Sequence, residues 1–131
     1  MPAFSNITVD NRETVPDSVV FEPRKNELGV ALFTNSSGVP VGEKTISIST
    51  RRNGPKQKVR FVMKDPVVAN EVINGITLPK VVRTAYADLT FSFDTTSSTQ
   101  ERKNLVGMLE NMLAEAQALV TSVVVDLEDV Y

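Results

Sequence analysis

The 131-residue sequence contains no cysteine and no histidine. Without cysteine there can be no disulfide and no thiolate metal site, which fits a reducing compartment. Without histidine, the side chain best suited to proton transfer near neutral pH is missing. Carboxylate, lysine or serine chemistry remains open, but no G-x-S-x-G, P-loop or H-E-x-x-H pattern occurs. Carboxylates such as Asp65, Asp88 and Asp94 show no paired spacing that argues for acid/base work. The chain therefore reads as a non-enzyme with no cofactor. Long apolar runs are lacking as well, and none approaches the roughly 18–20 residues of a membrane span. The start, Met1-Pro2-Ala3-Phe4-Ser5, has neither the basic residues nor the apolar stretch of a secretory signal. What is present, 41% hydrophobic and 23% charged residues, is the composition of one ordinary globular domain expected to span residues 1–131.

A net charge of −2 argues against nucleic-acid binding, but the distribution of charge reverses that argument. Seven basic residues fall between Lys44 and Lys64 (Lys44, Arg51, Arg52, Lys56, Lys58, Arg60 and Lys64) with no Asp or Glu among them. From Thr95 to Tyr131 six acids stand against Arg102 and Lys103. Charge sorted in this way lets an acidic chain present one positive surface.

The first three quarters of the chain read as β-structure. Thr45–Ser49, Lys58–Lys64 and Tyr86–Phe93 alternate polar and apolar side chains, the pattern of half-buried strands. Asn53-Gly54-Pro55 is turn chemistry between the first two, which predicts a hairpin. Ile7–Val9 and Val19–Phe21 predict a short N-terminal hairpin, and Gly29–Thr34 a further strand. Pro66, Asn74-Gly75 and Pro79 predict a loop between the last two strands rather than a continuous central strand. At Ser97 the period changes. Ser98-Thr99-Gln100-Glu101 has capping-box spacing. Leu105, Met108, Leu109, Met112, Leu113 and Ala116 then recur at helical intervals, followed by a second apolar set, Leu119, Val120, Val123, Val124 and Leu127. Strands followed by helices predict an α+β fold with the helices on one face of the sheet.

Alternation then fixes what the other face carries. If Ile46, Ile48, Val59, Phe61, Met63, Leu89, Phe91 and Phe93 point inward, the opposite surface holds Ser47, Ser49, Arg51, Lys58, Arg60, Lys64, Tyr86, Asp88 and Thr90. Cations neutralise phosphates, hydroxyls bond phosphate oxygens or base edges, and an exposed tyrosine is a platform for an unpaired base. Asp88 opposes indiscriminate phosphate binding and suits selective contact with a base amino group. The helices carry more Leu, Met and Val than one face of one small sheet absorbs, which points to a second subunit. Two readings share these features: a subunit that assembles, and a cellular RNA-binding β-domain that does not.

The block Arg83-Thr84-Ala85-Tyr86-Ala87-Asp88-Leu89-Thr90-Phe91-Ser92-Phe93 closely resembles coat proteins of the single-stranded RNA bacteriophages called leviviruses, especially the Qβ-like branch. Gly29-Val30-Ala31, Val39-Pro40-Val41-Gly42-Glu43-Lys44, Val72-Ile73-Asn74-Gly75 with Leu78-Pro79, Ser98–Arg102 and the terminal Tyr131 extend the resemblance. It implies an N-terminal β-hairpin, a five-stranded antiparallel sheet and two C-terminal helices. It also implies an interlocked homodimer assembling into a T=3 icosahedral shell around genomic RNA, in the virion and the host bacterial cytoplasm, with no membrane partner. In the same family the dimer binds an RNA hairpin at the start of the replicase gene, repressing translation and favouring packaging. By position, that site would comprise Val30, Ser47, Ser49, Arg51, Lys56, Lys58, Arg60, Tyr86 and Asp88, with Tyr86 stacking on a base and Lys58 and Arg60 holding phosphates. Val62 stands where some relatives carry a basic residue. The segment from Val68 to Lys80 resembles the loop gathered at the symmetry axes of the shell, here without the cysteines that crosslink it in some relatives.

Overall fold

The structure, a computed structural model, describes residues 3–13, 15, 18–35 and 40–130. Val39 and Tyr131, two positions of the resemblance, lie outside them. The backbone divides into two compact units, Met1–Ser92 and Phe93–Tyr131.

Six antiparallel strands in sequence order make one sheet: β1 (Ile7–Asp10), β2 (Ser18–Glu27), β3 (Val30–Asn35), β4 (Lys44–Asn53), β5 (Lys56–Ile73) and β6 (Ile76–Asp94). The expected separate hairpin and five-stranded sheet are instead one run of six, because β2 serves both. Its first half pairs with β1 (Ile7↔Phe21 to Asp10↔Ser18) and its second half with β3 (Glu22↔Thr34 to Glu27↔Val30). A register shift between Pro23 and Lys25 lets the strand change partners.

Each later hairpin closes in two residues. At the β4–β5 turn Gly54 takes φ 60° ahead of Pro55, and at the β5–β6 turn Asn74 and Gly75 both take positive φ (53° and 78°). Asn-Gly is the pair that such a type I′ turn favours. The segment Val68–Lys80 is therefore not a loop, as its prolines suggested, but the far half of a hairpin arm. Pro66 and Pro79 are accommodated because neither is flanked on both sides. β5 has no β4 partner beyond Lys64, and β6 is the last strand of the sheet.

Phe21, Phe33 and Ile46 form the buried core, with Ile7, Val19, Ala31 and Ile48 packed round them. Phe33 and Ile46 are register partners, and the ring of Phe4 meets Phe33 edge-on at 5.2 Å. Further along the same face Ile48 pairs with Phe61 and Ile46 with Met63, while Phe61 meets Phe91 edge-on at 6.1 Å. Ile48, Phe61, Met63 and Leu89 border an open apolar groove of about 230 Å³.

In the second unit α1 covers Thr99–Met112 and α2 covers Ala118–Val124. The capping signal acts as read: Ser98 is the N-cap, and its hydroxyl oxygen accepts from the Glu101 N–H at 3.2 Å. α2 stops short of the expected Leu127, which takes φ 59°. The valines of its last turn restrict their own rotamers in a helix and add little to hold it. Neither helix contains a buried residue, and Leu105, Met108, Met112, Leu119 and Val124 are all exposed.

Candidate nucleic-acid interface

Strand register builds the polar face one cross-strand row at a time, since residues directly opposite one another in a ladder share a side. Val30, Ser49 and Arg60 form one row across β3, β4 and β5; Leu32, Ser47 and Val62 form the next. Arg51 faces Lys58, Asn53 faces Lys56, and Thr45 faces Lys64. β6 joins this face through side chains: Asp88 is bonded to Arg60, and the Lys64 ammonium lies 5.8 Å from the centre of the Tyr86 ring. The nine residues expected at the site thus share one side of the sheet, opposite Ile46, Ile48, Phe61 and Met63.

The surface is graded. Ser47 and Ser49 sit half-buried in the middle strand, while Arg51, Lys56 and Lys58 are exposed towards the β4–β5 turn. Tyr86 is 68% exposed, leaving much of its ring open to a ligand. The β4 partner of Lys58 is Arg51, itself a cation. Among the described residues, Arg51, Arg52, Lys56, Lys58 and Lys64 form no ion pair, so their charge is open to a polyanion.

Arg60 differs from them. Its Nε donates to Asp88 Oδ1 at 3.0 Å and its second terminal nitrogen donates to Oδ2. This fork holds the Asp88 carboxyl below the usual carboxylate range and raises the guanidinium above its own. Expected as a phosphate ligand and as an acceptor for a base, Arg60 and Asp88 are joined to each other in the structure. Strand parity placed both on one face but gave no register between β5 and β6, so the pair was not legible. The Lys64–Tyr86 contact escaped for the same reason.

The levivirus coat protein family model matches residues 2–131. The chain belongs to the levivirus coat protein family. It is 38% identical to the capsid protein of Pseudomonas phage PRR1 over 130 residues, 98% of both chains. It is 34% identical to the capsid protein of Escherichia virus Qbeta over 116 residues, covering 85% of this chain and 83% of that one. An unassembled virus coat protein dimer, described as a bacteriophage RNA-binding dimer, superposes with a TM-score of 0.71 at 14% identity, covering 98% of each chain. The coat protein is a structural protein, not an enzyme, and its place is the virion. Family membership decides against the non-assembling cellular RNA-binding domain that the sequence alone left open. Within this coat protein Val62 is apolar and faces Ser47, between the row of Arg60 and that of Lys64.

Proposed function

We propose that this coat protein forms a homodimer as a single coat domain over residues 1–131 and builds a T=3 shell round the single-stranded genome in the host cytoplasm. On this reading the dimer also binds the hairpin at the replicase start, through Val30, Ser47, Ser49, Arg51, Lys56, Lys58, Arg60, Tyr86 and Asp88, and so represses translation and marks the genome for packaging. The observation that carries the reading is the convergence of half-buried hydroxyls, unpaired cations and an exposed tyrosine on one side of the sheet. Phosphate contacts would fix the register of the RNA, and Tyr86 would hold one unpaired base. Dimerisation is supported by the unburied helices, the open apolar groove and the free outer edge of the 19-residue β6. A long bare edge strand invites pairing with another chain.

The test is a salt-dependent titration of the unassembled dimer with the replicase-start hairpin and a scrambled hairpin. Tyr86→Ala is expected to weaken the cognate hairpin by about 1–3 kcal/mol and the scrambled one much less. Lys58→Ala is expected to weaken both and to reduce the salt dependence by somewhat less than one counterion per lost phosphate contact. Unchanged cognate affinity in folded Tyr86→Ala protein means that the site lies elsewhere.

A further inference from the structure

Lys64 lies outside the nine residues of the proposed hairpin site, yet it makes the one contact to the ring of Tyr86 from a charged group among the described residues. Its Nζ stands 5.8 Å from the ring centre, within the distance at which an ammonium is drawn to the negative face of an aromatic ring. Among the described residues it forms no ion pair. Lys64 faces Thr45 in the last row of the β4–β5 ladder, and the adjacent Asp65 is bound instead to Lys44 at 3.5 Å. The next residue on the same side towards the β4–β5 turn is apolar Val62, and beyond it Arg60 is held by Asp88. Among the described residues, Lys64 is therefore the cation without an ion pair that lies over the ring of Tyr86.

An aromatic ring has two faces. An ammonium drawn to one of them limits the ring's swing about its χ angles and leaves the opposite face as the platform for a base. It also withdraws electron density from the ring, which favours stacking by an electron-rich base. We propose that Lys64 is a positioning residue for RNA recognition: its ammonium backs one face of Tyr86 so that an unpaired base stacks on the other. This rests on the reading of Tyr86 as a stacking platform, and it adds a residue whose role runs through the ring rather than through a phosphate.

The two roles are separable by an abasic nucleotide, which keeps the phosphate and removes the base. The experiment measures binding of folded, unassembled dimer to the replicase-start hairpin and to versions in which each unpaired nucleotide in turn is made abasic. Wild type, Lys64→Met, Lys64→Arg, Tyr86→Ala and the Lys64→Met/Tyr86→Ala double variant are compared. Lys64→Met should weaken the intact hairpin about two- to fivefold. That loss should vanish in the Tyr86→Ala background and on the one abasic hairpin that has lost the stacked base, while Lys64→Arg retains near wild-type binding. If Lys64→Met weakens all hairpins equally, with additive losses and a shallower salt slope, Lys64 is only a phosphate contact and the proposal is overturned. No effect of Lys64→Met overturns it as well. If Tyr86→Ala itself leaves binding unchanged, the stacking platform fails first, and the role of Lys64 falls with it.

Discussion

Asp88 grips one of the expected phosphate ligands, and its two oxygens engage Arg60 in a fork. Both side chains are half exposed, so the pair adds little to folding. Its larger consequence is for binding, because a guanidinium held in this way is less free to take up phosphates of non-cognate RNA. Asp88→Asn should therefore strengthen binding to scrambled RNA and steepen the dependence of log K on log salt by about 0.7–0.9. Discrimination in favour of the cognate hairpin should fall. A non-specific affinity and salt slope equal to wild type would show that Arg60 is not restrained by Asp88. Acid acts in the same direction. The depressed pKa of Asp88 means that the ion pair contributes fully above the ordinary carboxylate pKa and is lost only as pH falls through the lowered value. Leu28 is a second residue whose chemistry conflicts with its place. It takes φ 52° in the β2–β3 turn, ahead of Gly29 at φ 78°, and is fully exposed. A branched side chain in the left-handed region is strained, and no packing compensates for it. Leu28→Asn should raise dimer stability by about 1 kcal/mol, read as a higher denaturant midpoint at fixed protein concentration. An unchanged or lower midpoint would assign Leu28 a contact that holds it there.

At the scale of elements, the β5–β6 arm is the feature whose character changed most between sequence and structure. Beyond Pro66 it runs as paired strands to the Asn74-Gly75 turn, with Lys80 and Glu71 bridged at 3.5 Å. Val72, Ile73, Ile76 and Leu78 lie exposed near its tip. Its base touches the 3-10 turn Pro40–Gly42, where a Cβ on Gly42 would collide with the side chain of Val68. The arm contributes nothing to the buried core of Phe21, Phe33 and Ile46, so folding does not need it. Deleting residues 68–80 with a two-residue turn in their place should leave a folded dimer that binds the hairpin. Electron microscopy should then reveal abnormal particles or none. Normal shells would remove the arm from assembly. The arm departs from the loop its prolines predict for a physical reason: proline usually terminates strands, but it costs little where a strand has only one neighbour.

For the whole molecule, the distribution of apolar surface is the governing fact. Among the described residues, three hydrophobic ones are buried in the first unit, and none in either helix of the second. The helices present Leu105, Met108, Met112 and Leu119 to solvent, an arrangement that a soluble chain corrects by association. The coat protein should therefore sediment as a dimer down to the lowest concentration at which it remains folded, and its unfolding midpoint should rise with protein concentration. A folded monomer that is stable on dilution would contradict an obligate dimer.

Much of this was determined by the sequence alone. Period-two alternation at Thr45–Ser49, Lys58–Lys64 and Tyr86–Phe93 sets which side chains share a face, because a strand can place them only alternately up and down. Ser98 and Glu101 start α1 through a bond between residues three apart, and Asn74-Gly75 turns the chain through its own backbone preference. All of these are local interactions, complete within a few residues. What the tertiary structure decided is what depends on how distant strands slide against each other. That register made β2 a partner to both β1 and β3, turned a proline-flanked loop into a hairpin arm, and brought Arg60 to Asp88 and Lys64 to Tyr86. Parity says which side of the sheet a residue occupies, but only the pairing of separate strands sets its neighbours there.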